Sequence, residues 1–123
     1  MVKSYEHALQ TGCVLWFNLQ YPEFNGLLFA VPNGGFRSKR TAVKIREEGG
    51  VAGVADLILM IPSGTYCALC IEMKVGKNKQ SERQKEWERK VVSMGYGYRV
   101  VRTFEEFQEL VEGYLRDGAV RQV

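Results

Sequence analysis

Residues 55–61 put apolar side chains on both faces of an extended strand. Leu57, Leu59 and Ile61 alternate with Ile58 and Met60, and alternate positions of a strand point to opposite sides. A strand of this kind belongs inside a sheet that helices cover on each face, which makes the chain α/β. The flanking pattern agrees. A first helix is expected over 4–20, capped by Ser4, with Ala8, Leu9, Trp16 and Leu19 as its buried stripe. Residues 27–31 read as a strand, followed by a turn at Pro32-Asn33-Gly34-Gly35. A short basic helix over 39–48 stops at Gly49-Gly50. Pro62-Ser63-Gly64-Thr65 turns the chain back into a strand over 66–74. Ser81 and Gln84 form a capping box that opens a helix over 81–94, and Gly95 ends it. Residues 96–102 form a fourth strand. Thr103 and Glu106 then open a last helix with Phe104, Phe107, Leu110, Val111 and Tyr114 as its apolar face. The expected order is α-β-α-β-β-α-β-α, a mixed central sheet flanked by helices.

At 123 residues the chain suits one domain over 1–123, since two would leave neither half a proper core. Hydrophobic residues at 46% against 25% charged exclude a disordered chain. No apolar run approaches the roughly 20 residues that span a bilayer. Met1-Val2-Lys3-Ser4-Tyr5-Glu6 does not read as an export signal. With the odd count of 3 cysteines, this points to a reducing cytoplasm. His7 is the single histidine, which excludes a multi-imidazole metal centre, and the sequence has no Gly-x-Ser-x-Gly elbow. Cys67 and Cys70 have C-x-x-C spacing and, with His7 and Cys13, would make four zinc ligands. Positions three apart on a strand face opposite ways, so the cysteines are read as small core residues. Trp16 and Trp87, at helical spacing, are likewise read as core.

The net charge of +3 hides two basic segments. One holds Arg37, Lys39, Arg40, Lys44 and Arg46, and the other holds Lys74, Lys77, Lys79, Arg83 and Lys85 against Glu82 alone. Such segments are often no more than solvated surface, but they also suit polyanionic phosphate.

The chemistry concentrates in two short stretches. Glu72 interrupts an apolar strand and shares a face with Lys74. Gly64 lies midway between Asp56 and Glu72, so a regular hairpin sets the two carboxylates opposite each other. The three groups are expected near one sheet edge. Two neighbouring carboxylates repel unless a cation lies between them, and hard oxygen ligands favour Mg²⁺ or Mn²⁺. Such an ion neutralises charge on a phosphate and acidifies water. Lys74 stands ready to orient that water or to stabilise the charged transition state.

Asp56 followed by Glu72-Met73-Lys74 resembles the D…(D/E)-x-K signature of the PD-(D/E)xK nuclease superfamily, with Ala55 where the signature has proline. Four blocks together resemble the virus-type replication-repair nuclease (VRR-NUC) domain: Asn33-Gly34-Gly35, Gly49-Gly50-Val51-Ala52-Gly53-Val54-Ala55-Asp56-Leu57, Ile71-Glu72-Met73-Lys74 and Ser81-Glu82-Arg83-Gln84-Lys85-Glu86-Trp87. The match runs from about Glu6 to Arg102. The resemblance implies a metal-dependent DNA endonuclease. It makes Asp56, Glu72 and the backbone carbonyl of Met73 metal ligands, Lys74 the catalytic lysine and Gln84 an active-site residue. It also puts Glu6 forward as a further metal ligand, although an acid in a helix's first turn is equally explained by the helix dipole. The capping box would turn the Gln84 amide back to Ser81, whereas the resemblance aims it at metal or phosphate. Read as a single-purpose group, the amide does one or the other, and the resemblance favours the site. Beside such a site, Lys77, Lys79, Arg83, Arg37, Lys39 and Arg40 are expected to contact the DNA backbone. A role for Asn33 near the site is a further expectation. Stand-alone phage and bacterial members are similar to dimeric Holliday-junction resolvases, so branched DNA and a homodimer follow by resemblance. Two alternatives stay open: a non-catalytic DNA-binding module on the same fold, and a restriction-type enzyme that reads a short sequence.

Overall fold

The fold is built around one fully buried strand. In the computed structural model, which describes residues 2–32 and 38–120, β3 (Leu69–Met73) has all five residues buried. It pairs antiparallel with β2 (Leu57–Leu59) on one side and parallel with β4 (Gly97–Val101) on the other. β1 (Leu28–Ala30) adds to the outside of β2, giving the order β1-β2-β3-β4. Among the described residues, four helices connect these strands, α1 (Val2–Gln20), α2 (Lys39–Glu47), α3 (Glu82–Ser93) and α4 (Phe104–Asp117), and of these α1, α3 and α4 pack on the sheet. The order of helices and strands is the expected one, with an added 3₁₀ turn at Pro22–Phe24.

The sheet buries two different faces. On one, Leu57, Leu59, Leu69 and Ile71 pack with Cys13 and Phe17 of α1 and with Phe107, Leu110, Val111 and Tyr114 of α4. On the other, Ala55, Cys70 and Tyr98 pack under Trp87 and Val91 of α3. Trp16 packs edge-on against Tyr21, Phe104 and Phe107, so both tryptophans take the core role expected of them.

Several local expectations need correction. The both-sided burial assigned to 55–61 belongs to β3 instead. Leu57 and Leu59 are buried, Ile58 is half-buried and Met60 is exposed, because α3 covers the β3–β4 half of that face and leaves the β2 half open. Helix α1 starts at Val2 without a Ser4 cap. Its stripe runs through Leu9, Cys13, Trp16 and Phe17, while Ala8 is exposed and Leu19 is 74% exposed. Two residues along a helix are about 200° round the axis, so Leu19 cannot share the face of Phe17. Cys13 and Cys70 are buried as expected, and burial pushes their thiols up to about 12 and about 11. Cys67 is exposed, because it precedes β3 in the chain that leaves the turn. All three cysteines are free. The turn at Asn33-Gly34-Gly35 lies outside the described residues.

Caps fix the helix starts that matter for the site. Ser81 Oγ accepts the Gln84 N–H, and Thr103 Oγ1 accepts the Glu106 N–H, each at 3.1 Å. Glu106 does not complete a second capping box, since its carboxylate accepts the Arg102 N–H at 2.8 Å. Just before β2, Gly53 adopts φ +89°, and a Cβ there would stand 2.5 Å from the Arg83 carbonyl oxygen. That contact lets the loop leading to Asp56 press on the first turn of α3. Gly53→Ala is therefore expected to destabilise the protein by about 2 kcal/mol, through a strained dihedral and a backbone clash. Urea unfolding checks this, and a wild-type midpoint would show that the loop and α3 are not in tight contact.

Candidate functional site

The hairpin register decides where the carboxylates stand. Leu57 pairs with Ile71 and Ile58 with Cys70, so continuing the ladder by one residue sets Asp56 opposite Glu72. This is the register expected from a turn centred on Gly64. Asp56 Oδ2 accepts the backbone N–H of Met73 at 2.7 Å, which pins it at the end of β3. Glu72 projects from the face that α3 covers and is 1% exposed. Its Oε2 accepts from Gln84 Nε2 at 2.7 Å and lies 3.7 Å from Lys74 Nζ. Its Oε1 lies 3.4 Å from the Tyr98 hydroxyl. The site thus stands at the ends of two interior strands, β2 and β3, and not at a lateral edge of the sheet. The antiparallel β1 and the parallel β4 enclose it from either side.

Gln84 resolves the expected conflict by dividing its amide. Its Oε1 accepts the Ser81 N–H at 2.8 Å, completing the capping box, while its Nε2 donates to Glu72. The two ends of a primary amide face opposite ways and have opposite hydrogen-bonding roles. Cap and site are therefore served together, and the helix start is locked to the carboxylate.

No family model matches the sequence, and no curated protein matches it. A solved structure described as "VRR_NUC domain protein" is similar to the chain, with a TM-score of 0.77 at 26% identity over 96% of this chain and 97% of that one. The chain is a domain of the VRR-NUC fold. The mixed sheet with helices on both faces is that fold's architecture.

Within this fold the electrostatics of the pair are unbalanced. The Glu72 carboxyl is pushed from 4.5 up to about 8, first by burial, then by the charge of Asp56 and a hydrogen bond shared with it. Lys74 and the Tyr98 hydroxyl pull it back only in part. Two oxygen-donor carboxylates held together at this cost suit a hard divalent cation, whose charge removes the repulsion. Asp56 and Glu72 are the side chains that could hold one.

Glu6 stands elsewhere in the hydrogen-bonding pattern. Its Oε2 accepts from Asn78 Nδ2 at 3.4 Å, in the loop after Lys74. Among the described residues, no three His, Cys, Asp or Glu side chains are grouped so as to hold a metal. Glu6 therefore does not complete a triad with Asp56 and Glu72 here, and the four-ligand zinc arrangement is likewise not assembled. Lys77, Lys79 and Arg83 are exposed around the site, and Lys39 and Arg40 are exposed on α2. Arg37, like Asn33, lies outside the described residues. A groove of about 380 Å³ between α2 and the start of α3 is lined by Ile45, Arg46, Val51, Val54 and Arg83. No local pattern marks Tyr98 as a neighbour of Glu72; the parallel β3–β4 pairing brings it there, and Gln80 and Glu88 connect through its hydroxyl.

The raised Glu72 value has a definite consequence for stability. The folded state keeps a proton that the unfolded chain releases, so the metal-free protein gains stability in acid and loses it as pH rises from 4.5 through about 8. In chelator at pH 8, Glu72→Gln is expected to be more stable than wild type by about 2 kcal/mol, with the gain vanishing near pH 4. Thermal unfolding at the two pH values checks this. A variant less stable than wild type at pH 8 contradicts the repulsion.

Proposed function

We propose that this chain is a Mg²⁺- or Mn²⁺-dependent DNA endonuclease that hydrolyses phosphodiester bonds. The observation that carries the reading is the buried Glu72 carboxylate set against Asp56, with Lys74 Nζ 3.7 Å away, on a VRR-NUC fold. Asp56, Glu72 and the Met73 carbonyl hold the cation. When bound, the ion supplies charge neutralisation on the phosphate and a more acidic water. The chain's own groups do the positioning. Gln84 holds Glu72 Oε2 against the start of α3, and the Met73 N–H holds Asp56 at the end of β3. Lys74, largely shielded beside the pair, orients the attacking water or donates to the phosphate oxygen that gains charge as the ester bond breaks.

Around this centre the exposed cations give DNA its footing. Lys77 and Lys79 follow Lys74 directly in the chain, and Arg83 and Arg46 face the groove between α2 and α3. With Lys39, Arg40 and Arg37 they form the backbone-contacting surface of this reading. Branched DNA as substrate, a homodimer that cuts two strands, and residues 1–123 as one nuclease unit in the cytoplasm complete the proposal. All of these follow the resemblance. Among the described residues, no helix is long and apolar enough to cross a membrane.

Incubation with four-way, flap and linear duplexes, in Mn²⁺ and in chelator, tests the activity. Cleavage of branched DNA that requires Mn²⁺ is the expected result. Binding without cleavage favours a DNA-binding module, and cutting of linear DNA at one fixed sequence favours a restriction-type enzyme. Lys74→Ala is expected to slow single-turnover cleavage by at least about a hundredfold while leaving DNA affinity near wild type. A full-rate variant removes Lys74 from the chemistry. Lys77→Ala and Lys79→Ala are each expected to weaken binding and to flatten the slope of log affinity against log salt by about 0.9. An unchanged slope places that residue away from DNA.

A further inference from the structure

From Glu72 Oε1 a second chain of hydrogen bonds leads back to α3. Glu88 Oε1 accepts from Gln80 Nε2 at 2.9 Å, and the same nitrogen donates to the Tyr98 hydroxyl oxygen at 3.1 Å. The Tyr98 hydroxyl in turn faces Glu72 Oε1 at 3.4 Å. Each link fixes the direction of the next. An ionised carboxylate accepts and does not donate, so Glu88 draws the NH₂ end of the Gln80 amide. That NH₂ has two hydrogens, and the second is spent on the Tyr98 oxygen. With its oxygen accepting, the hydroxyl turns its own hydrogen to Glu72.

We propose that Tyr98, held by Gln80 and Glu88, is a positioning residue that presents the Glu72 carboxylate to the divalent cation. The proposal rests on the metal-site reading above and adds residues that neither the nuclease signature nor the sequence pattern contains. The geometry favours orientation over capture. Oε2 is tied by the 2.7 Å bond from Gln84, whereas the Tyr98 contact to Oε1 is longer, at 3.4 Å. A 3.4 Å O–H···O contact is weak, so it limits the rotation of the carboxylate while leaving Oε1 free to move onto a cation. Tyr98 is itself 3% exposed and its ring packs against Trp87, so the hydroxyl has little freedom of its own. Partners that orient ligating carboxylates are a regular part of metal sites, and their loss weakens metal affinity by about ten- to a hundredfold. Gln80 and Glu88 line a polar hollow of about 290 Å³ beside Tyr98, so changes to Gln80 are made at a cavity wall and not inside the apolar core.

The test measures Mn²⁺ binding by calorimetry on the full chain without DNA, beside thermal unfolding in chelator. Tyr98→Phe is expected to weaken Mn²⁺ binding about tenfold, with metal-free unfolding close to wild type. Gln80→Met is expected to weaken it in the same direction but by less. The double variant is expected to match Tyr98→Phe alone, because Gln80 acts through Tyr98. Unchanged Mn²⁺ affinity in Tyr98→Phe overturns the proposal, as does a double variant in which the two losses multiply. If Tyr98→Phe does not fold, Gln80→Met decides alone, and wild-type affinity there overturns the proposal. Wild-type protein that binds no Mn²⁺ brings down the metal-site reading and this inference together. Tight wild-type binding with unaffected variants brings down the inference alone.

Discussion

Two carboxylates that face each other across a hairpin repel, and here one of them has almost no water to weaken the repulsion. Glu72 is buried in the central strand while Asp56 stands opposite, pinned by a backbone N–H. Desolvation and the neighbouring charge act in the same direction on Glu72, and Lys74 offsets only part of the effect. The surrounding architecture is what makes this pairing tolerable. A strand hydrogen-bonded on both sides and covered on both faces cannot turn its glutamate out to solvent without giving up its ladder. The fold therefore holds an unfavourable electrostatic contact of the kind that a divalent cation would relieve.

The same constraint explains how the helices serve the site. Helix α3 lies on the face from which Glu72 projects, and its capping glutamine supplies the strongest bond to that carboxylate. Gly53 lets the loop ahead of Asp56 touch the backbone of the same helix turn. Asp56, Glu72 and Gln84 are thus held by three segments that meet at one place. Helices α1 and α4 bury the opposite face and hold β3 in position. Core and site accordingly share β3, whose alternate residues supply one and then the other.

Much of this was legible before any coordinates. Register depends on turn position, so a turn centred on Gly64 was enough to place Asp56 against Glu72. A lone acid within an apolar strand, two residues before a lysine, marked the chemistry. Local hydrogen bonding made the Ser81 and Thr103 caps readable from four-residue patterns. Elsewhere the sequence under-determined the result. Leu19 and Met60 are apolar yet exposed, because apolarity alone does not say how far a covering helix reaches. Treating the Gln84 amide as a single-purpose group hid the fact that its two ends can work at once. The Tyr98–Glu72 contact depends on a parallel strand pairing that joins distant residues, and no local pattern records it.

Whether Asp56 and Glu72 together hold a divalent cation is decided by anomalous scattering from a crystal of the wild-type chain soaked in Mn²⁺. A manganese peak ligated by one carboxylate oxygen from each of Asp56 and Glu72, with the Met73 carbonyl beside it, is the expected result. A peak elsewhere, or none between these two side chains at saturating Mn²⁺, would contradict it.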